Sequence, residues 1–465
     1  MKTHHALAVL PGLLALSGCL SLAPAYERVP APIPNDLPET ETARGPAAPL
    51  RWDELVVAPP LRELIVLALQ ENRDLRATAA NVRSARAQLM IARGETFPSV
   101  TASASGREGD MFDSSDAGVQ SFSDSASVTA GTTAWELDFF GRIASNNEAA
   151  LQTYLASAEG ERAAKLALVS TLGEAWLQLA ADRALLALAE DTVSSQSESL
   201  ELTRALLDAG AANELDVRRA SASVQTARAQ AAQYVALVRQ DLNLLRLLAG
   251  TDLPAGTAEA AQLTPLPVVS GGRVNAPSEI LLDRPDIMAA EHQLRATNAR
   301  IGAARAAFFP SISLTGSAGY VSSDLTDLVG GDGAGGWSFG PNISLPIFDG
   351  GVRKGNLGAA NSARDAALAQ YESAIQSAFR ETADALAVSG TIDARLDALT
   401  RLVEDTDVTL SLSKERFRSG VDGYLSVLDA QRENYSSRQQ LIAARLDQGR
   451  NAIALFRALG NWDEE

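Results

Sequence analysis

The spacing of apolar residues along the chain predicts two very long helices. Residues 145–208 and 354–418 each continue without a proline, and each would reach roughly 95 Å at a helical rise of 1.5 Å per residue. Steps of three and four positions in the second segment form a heptad seam of Leu396, Leu399, Val403, Thr406, Leu410, Ser413 and Phe417. Because a seven-residue repeat makes helices supercoil around their neighbours, we expect a coiled-coil arrangement.

Shorter helices and strands are predicted before each long helix. Helical spacing covers residues 61–93 and 278–306, and each segment ends shortly before a Phe-Pro pair, as helices tend to. Four segments rich in Ser, Thr, Gly and Val follow, with predicted strands at 99–107, 126–139, 311–322 and 336–348. Weakly alternating segments of about ten residues are typical of transmembrane barrel strands.

This order of elements occurs twice. The sequence around Pro98 recurs around Pro310, while Gly210 and Gly250 recur as Gly420 and Gly460. Three anchors at nearly one offset indicate an internal duplication. The predicted organisation is a signal peptide at 1–18, a Pro-rich extended arm at 19–60, repeat 1 at 61–250, a linker at 251–277 and repeat 2 at 278–465.

The N-terminus has the features of a secretory signal. Lys2 makes its start weakly basic and residues 6–16 are apolar apart from a Pro-Gly break, too short a stretch to span a bilayer at roughly 20 residues per crossing. The tetrad Leu-Ser-Gly-Cys at 16–19 resembles a bacterial lipobox, which would make Cys19 the lipidated first residue of the mature protein. Leucine rather than aspartate at position 20 then implies sorting to the outer membrane. The alternative is an ordinary signal peptide with an incidental cysteine.

Hydropathy narrows the ways in which the mature chain can cross a membrane. No apolar stretch of 18 or more residues follows the signal, so a helical membrane protein is not expected. A mature chain that spans a membrane would therefore do so as a β-barrel.

Composition and charge exclude several classes of function. With 46% hydrophobic residues the chain can bury a large core, and its formal charge of -17 repels nucleic-acid phosphate. Two of the three histidines are His4 and His5, which leaves His292 alone in the body of the chain and excludes a multi-histidine metal site. Without a phosphate loop or nucleophile elbow, we predict no catalytic residue, no metal and no cofactor apart from covalent lipid.

A glycine turn follows each long helix. Gly210 and Gly420 supply the left-handed residue that caps a helix, and the next helix restarts within a few positions. For a generic protein such a hairpin carries only solvated acids at its tip. In a symmetric assembly, however, each acid would repeat around one axis, and a ring of carboxylates at a constriction selects cations and can gate a pore.

The segment after residue 282 begins Asp283-Arg284-Pro285-Asp286-Ile287 and continues to Ala304-Arg305-Ala306-Ala307-Phe308-Phe309-Pro310-Ser311. It resembles the TolC superfamily, and most of all the NodT/OprM-type outer-membrane lipoproteins of RND efflux pumps. The tip from Phe417 to Gln431 and the lipobox extend the resemblance over essentially the whole mature chain.

The resemblance implies a mixed fold in which a long α-helical coiled-coil barrel continues a transmembrane β-barrel. Four strands per chain would make a twelve-strand barrel in a homotrimer, anchored in the outer membrane also by palmitate on Cys19 and extending into the periplasm. Small molecules such as drugs would leave through the lumen, which would contribute to multidrug resistance. A periplasmic adaptor and an inner-membrane RND pump would dock at the helical tips, and the pump would supply the energy.

The resemblance also assigns candidate site residues at the tips. Asp429 matches the acidic position of the family's Leu-Asp-Ala tip, Asp216 matches the acid of the first-copy tip, and Asp422 is a third gate candidate. Some relatives have a second gate acid where this chain has Ser426, and a basic latch at the position of Asp422, so a salt link between Asp216 and position 422 is not available. The candidate turn and adaptor-docking residues are Gly210, Leu215, Gly420 and Leu425.

Other functions remain open on the sequence. Within transport, the chain could be the exit duct of a type I protein-secretion system, although the lipobox and the Asp-Arg-Pro-Asp segment favour drug efflux. In another class, it could be a periplasmic coiled-coil adaptor or structural protein without a pore. Adaptors usually carry one helical hairpin, whereas this chain has two. An enzyme would have to rely on His292.

Overall fold

A computed structural model describes residues 21–38, 51–107, 125–269, 277–323, 328 and 333–460. The predicted signal peptide and the predicted lipidation site Cys19 lie outside these residues, as do parts of the predicted arm and linker. None of the helices within the described segments is both long enough and apolar enough to cross a membrane.

Helices make up most of the described chain. They are α1 (Trp52–Leu55), α2 (Pro59–Glu71), α3 (Arg73–Gly94), α4 (Arg142–Asp208), α5 (Glu214–Ala249), α6 (Thr257–Ala260), α7 (Pro285–Ala306), α8 (Val352–Ser389), α9 (Ile392–Arg418) and α10 (Tyr424–Leu459), with a short 3-10 helix at Ser278–Asp283. The predicted first long helix is present as the 67 residues of α4.

The second long helix was predicted as one element, and this prediction is wrong. It is divided into α8 and α9 at Gly390 and Thr391. The amide of Thr391 bonds to Val388 O at 3.0 Å, which closes a tighter turn than the α-helix, and its φ of -121° is not helical. A glycine inside a helix lowers its stability. The heptad seam begins only at Leu396, after the break, so it gave no information about this junction.

The four strands form one antiparallel sheet in the order β1-β2-β3-β4. They are β1 (Thr101–Arg107), β2 (Ser125–Leu137), β3 (Ser311–Ser322) and β4 (Ala334–Ser344), close to the four predicted segments. A bulge in β2 between Thr132 and Trp135 shifts its register with β3. Ala134 within the bulge has a φ of +54°. Because β2 belongs to repeat 1 and β3 to repeat 2, their pairing joins the two copies.

The chain forms two compact units that do not coincide with the two repeats. The described residues of 1–29, 82–157 and 290–371 form the first unit, and those of 30–81, 158–289 and 372–465 form the second. Each unit therefore takes segments from both repeats. The physical reason is that elements of each copy bury their apolar faces, or pair their strands, against the other copy.

In the first unit, the described start of the arm lies along α7. Asn298 Nδ2 donates to Pro24 O at 2.8 Å and Arg305 Nη1 donates to Leu22 O at 3.1 Å. Gly302 lets the backbone of the arm approach α7 closely, because a β-carbon at this position would lie only 2.8 Å from the β-carbon of Ala23. Polar side chains of α7 thus satisfy backbone groups of a segment that has no regular secondary structure.

In the second unit, the largest apolar cluster packs α2, α4, α5 and α10 together. Its most buried members include Leu61, Leu64, Ile65, Leu172, Trp176, Leu177, Leu179, Leu245, Ile453 and Phe456. Full burial of one such side chain is worth about 1.5–3 kcal/mol. The cluster therefore holds helices of both repeats together around α4.

The Asp-Arg-Pro-Asp segment has a structural role in the second unit. The Arg284 side chain is 6% exposed, and its guanidinium donates to Asp286 Oδ2 at 2.8 Å, to Glu381 Oε2 at 3.2 Å and to Ala458 O at 3.2 Å. Burial opposes its charge, but the two carboxylates outweigh burial and raise the pKa of Arg284. One side chain thus ties the start of α7 to α8 and to the end of α10.

Candidate functional site

The tip between α4 and α5 is a glycine-capped turn. Gly210 has a φ of +74°, which a residue without a β-carbon adopts at little cost. The amide of Ala211 bonds back to Leu206 O at 2.7 Å and that of Gly210 to Leu207 O at 2.9 Å, the pattern of a Schellman motif. The side chain of Asn213 then caps α5 by accepting from the amide of Asp216 at 3.0 Å.

The tip between α9 and α10 repeats this geometry in the second copy. Gly420 has a φ of +73°, and the amide of Val421 bonds to Arg416 O at 2.9 Å. Gly423 occupies the position of Asn213 and provides no side-chain cap. The predicted turn glycines therefore have the conformation for which glycine is suited.

An apolar cluster beneath the tips packs the two hairpins together. It comprises Leu200, Ala220, Val224, Phe417, Tyr424, Val427 and Leu428. The rings of Phe417 and Tyr424 meet edge to face with centroids 5.8 Å apart. Aromatic pairs of this kind add about 0.5–1.5 kcal/mol to stability beyond the contribution of their buried area. The apolar cluster therefore fixes the positions of the acids at the tips.

The gate candidate Asp422 is engaged by its own hairpin. Arg416 donates to both oxygens of the Asp422 carboxylate, at 2.6 and 2.9 Å. This fork of hydrogen bonds lowers the pKa of Asp422. Sequence reasoning did not identify Arg416, although the glycine turn between the two residues could have suggested that they meet. The charge of Asp422 is therefore balanced within the tip.

The other two gate candidates lie in different surroundings. Asp429 is exposed, between the buried Leu428 and Ala430. The Asp216 side chain is 21% exposed and lies 3.8 Å from Arg219, at the long limit of an ion pair. Of the three candidates, Asp429 combines exposure with a position fixed by buried neighbours on both sides.

Exposed apolar side chains lie at both tips. Leu215 is 56% exposed and Leu425 is 50% exposed, at equivalent positions of the two repeats. Val421, which sequence reasoning did not select, is 63% exposed beside the second turn. Grouped apolar side chains on a surface are typical of protein contact sites.

Neither a metal site nor a catalytic role for His292 finds support among the described residues. Among the described residues, no cluster of three or more His, Cys, Asp or Glu side chains has the arrangement of a metal site. His292 Nδ1 lies 2.6 Å from Gln152 Oε1, a polar contact between helices.

The sequence profile of the outer membrane efflux protein family matches residues 64–251 and 276–461. This chain belongs to that family. The toluene efflux pump outer membrane protein TtgF of Pseudomonas putida is 44% identical, over 100% of this chain and 98% of TtgF. The outer membrane protein OprJ of Pseudomonas aeruginosa is 42% identical, over 97% of this chain and 95% of OprJ.

Solved structures agree with the family assignment. A membrane protein of Pseudomonas aeruginosa superposes with a TM-score of 0.86 at 40% identity, over 95% of this chain and 97% of that one. The open state of the Neisseria gonorrhoeae MtrE outer membrane channel superposes with a TM-score of 0.84 at 36% identity, over 95% of this chain and 98% of MtrE. The expectations of an efflux function and an outer-membrane location are confirmed. The protein is a transport protein rather than an enzyme.

Proposed function

We propose that three copies of this chain close a single duct through the outer membrane. The observation that carries the proposal is the similarity in fold to the open MtrE channel over 95% of this chain. The strands β1 and β4 have no further partner among the described residues. Because an unpaired strand edge presents free backbone groups that join another strand, neighbouring copies would pair β4 with β1 and make a barrel of twelve strands.

The exposed side chains of β4 suit a surface that faces lipid. Trp337, Phe339 and Ile343 are 81%, 63% and 67% exposed. They lie at alternating positions, so they share one face of the strand. Such an outward apolar band with aromatic residues is typical of membrane barrels.

The substrates of the duct are small molecules such as solvents and antibiotics. Several relatives are named for the efflux of toluene, solvents or antibiotics. A periplasmic adaptor would dock on the exposed Leu215, Leu425 and Val421, and an inner-membrane RND pump would supply the substrates and the energy. Lipid on Cys19 would anchor the mature N-terminus to the same membrane.

Asp429 is the gate acid in this proposal. Threefold symmetry would bring three Asp429 carboxylates around one axis, where they attract cations and exclude anions. Asp422 contributes less because Arg416 already balances its charge.

The test is the conductance of the purified protein in a planar bilayer, with Asp429→Asn compared with Asp422→Asn. We expect small cation-selective currents in the unmodified protein, a loss of cation selectivity in Asp429→Asn and nearly unchanged selectivity in Asp422→Asn. If neither the unmodified protein nor the variants conduct, the duct is refuted and a periplasmic adaptor without a pore becomes the better interpretation. If all three give identical currents, the duct stands and Asp429 is not its gate.

A further inference from the structure

Two aspartates face each other within the first helical hairpin. Asp182 of α4 and Asp241 of α5 lie almost equally far along the chain from Ala211 at the tip, one before it and one after it. Antiparallel helices of equal rise bring such positions to the same level. Their carboxyl groups are within hydrogen-bonding reach of each other.

Within the described part of the chain, neither carboxyl group is paired with a cation. Asp182 is 4% exposed, and Gln178 Nε2 donates to its Oδ2 at 2.8 Å. Asp241 Oδ2 is buried and receives no hydrogen bond from these residues. A buried carboxylate and a half-buried one in contact cannot both keep their charge cheaply, so one proton between them supplies the hydrogen bond that Asp241 Oδ2 lacks.

The guanidinium groups on neighbouring elements are directed at other partners. Arg183 of α4 donates to the backbone oxygens of Ala258 and Ala261, and Arg62 of α2 donates to those of Asp53 and Val56. On α10, Arg445 donates to Thr264 Oγ1 and Arg450 donates to Gln178 Oε1. Arg450 thus reaches Asp182 only through the amide of Gln178. Burial first, and then the bond to Asp182 and its charge, raise the pKa of Asp241 to about 7.

The second repeat shows what the same level looks like without the acids. At the offset that relates Gly210 to Gly420, Ile392 corresponds to Asp182 and Asn451 to Asp241. Ile392 is buried, and Asn451 Nδ2 donates to Ser389 Oγ at 2.7 Å. An amide with a permanent hydrogen takes the place of the acid, so this contact does not depend on a proton.

We propose that Asp182 and Asp241 form a proton-dependent clamp between α4 and α5, in which one shared proton holds the two helices of the first hairpin together. With the proton present, the Asp241 hydroxyl donates to the Asp182 carboxylate. Loss of the proton leaves two like charges in contact and weakens the hairpin at this level. The clamp acts within one chain, so it does not depend on the formation of a pore.

The first test is infrared titration of the full-length protein in detergent, in heavy water, from about pH 5 to about pH 9. A carboxyl group that keeps its proton above the usual range of aspartate gives a carbonyl stretch that carboxylates lack. We expect this band to disappear with a midpoint near pH 7 in the unmodified protein and to be absent in Asp241→Asn. In Asp182→Asn it should disappear at a lower pH, because the charge of Asp182 is removed while the burial of Asp241 remains. The matched control is Asp397→Asn, which removes an exposed acid of α9 and should leave the band unchanged.

The second test is the pH dependence of the thermal unfolding midpoint. Folding raises the pKa of Asp241 from its ordinary value of 3.8 to about 7. The stabilisation by the shared proton is therefore complete at low pH and is lost as the pH rises through about 7. The midpoint of the unmodified protein should fall over this range, and Asp241→Asn should remove that part of the fall because the amide keeps its hydrogens. The proposal is overturned if the unmodified protein lacks the infrared band. It is also overturned if Asp241→Asn or Asp182→Asn gives the band with the same midpoint as the unmodified protein. The infrared result on the unmodified protein decides even if both variants fail to fold.

Discussion

Glu291 of α7 accepts a hydrogen bond from Arg28 Nη2 at 2.7 Å, although the two residues lie far apart in the sequence. Arg295 Nη2 donates to the same carboxylate at 2.6 Å and Tyr26 OH donates at 3.1 Å. The Arg295 guanidinium also lies over the Tyr26 ring, 4.7 Å from its centroid. The buried Glu291 is therefore the centre of the contacts that hold residues 26–28 on α7.

Glu291→Gln should release this part of the arm. Arg28 and Arg295 are partly exposed, so we expect a loss of about 2 kcal/mol rather than the full cost of breaking a buried ion pair. Tryptic cleavage after Arg28 should then accelerate about thirtyfold, because cleavage follows the population of the open segment. Glu404→Gln, at an exposed site on α9, should leave the rate unchanged, and an equal rate in both variants would contradict the prediction.

The same contact should weaken in acid. Burial alone would raise the pKa of Glu291, but the bonds from Arg295 and Arg28 outweigh it and lower that pKa below 4.5. The stabilisation is therefore complete above the ordinary pKa and is lost as the pH falls through the lowered one. Cleavage after Arg28 by a protease active in acid should increase below about pH 4 in the unmodified protein. Glu291→Gln should show no such increase.

Arg284→Lys should destabilise the second unit despite keeping the charge. A lysine cannot donate at once to Asp286, Glu381 and Ala458 O from one planar group, so we expect a loss of about 2 kcal/mol. Thermal unfolding is the measurement. Arg380→Lys, whose ion pair with Asp384 is exposed on both sides, should change stability by less than about 0.5 kcal/mol. Equal effects of the two substitutions would show that the guanidinium shape is unimportant.

Two glycines with one φ value should respond differently to alanine. Gly210 and Gly250 both have a φ of +74°, but a β-carbon at Gly210 meets nothing within 4 Å. At Gly250 it would overlap Glu71 O and lie 2.7 Å from Glu71 C. Gly210→Ala should cost about 1 kcal/mol from backbone strain, and Gly250→Ala about 3 kcal/mol because the backbone must also move. Denaturant unfolding of both variants tests this order, and a larger loss in Gly210→Ala would reverse it.

The cap of α5 should be transferable to α10. Asn213→Ala removes the side chain that accepts from the amide of Asp216, at a cost of about 1 kcal/mol. Gly423→Asn should gain a few tenths of a kcal/mol, since Gly423 already has the extended conformation of a cap residue, with φ -78° and ψ 163°. Amide hydrogen exchange in the first turns of α5 and α10 is the measurement. Faster exchange at α10 in Gly423→Asn would contradict the equivalence of the two tips.

The sequence by itself determined the features that depend on neighbouring residues. Alternation placed the four strands, three-four spacing placed α4, and the turn glycines marked both tips, because these signals reflect backbone conformation and burial over a few positions. The duplication and the Asp-Arg-Pro-Asp segment pointed to the efflux family for the same reason, since local patterns survive in relatives at about 40% identity.

Only the tertiary structure decided how distant residues act on one another. It balanced the charge of Asp422 with Arg416 and brought Asp182 to Asp241. It also joined segments of both repeats in each compact unit. Periodicity reports which face of an element is buried, but not which charge or amide lies opposite that face. Those partners decide whether an acid has its charge balanced, as Asp422 does, or shares a proton, as we propose for Asp182 and Asp241.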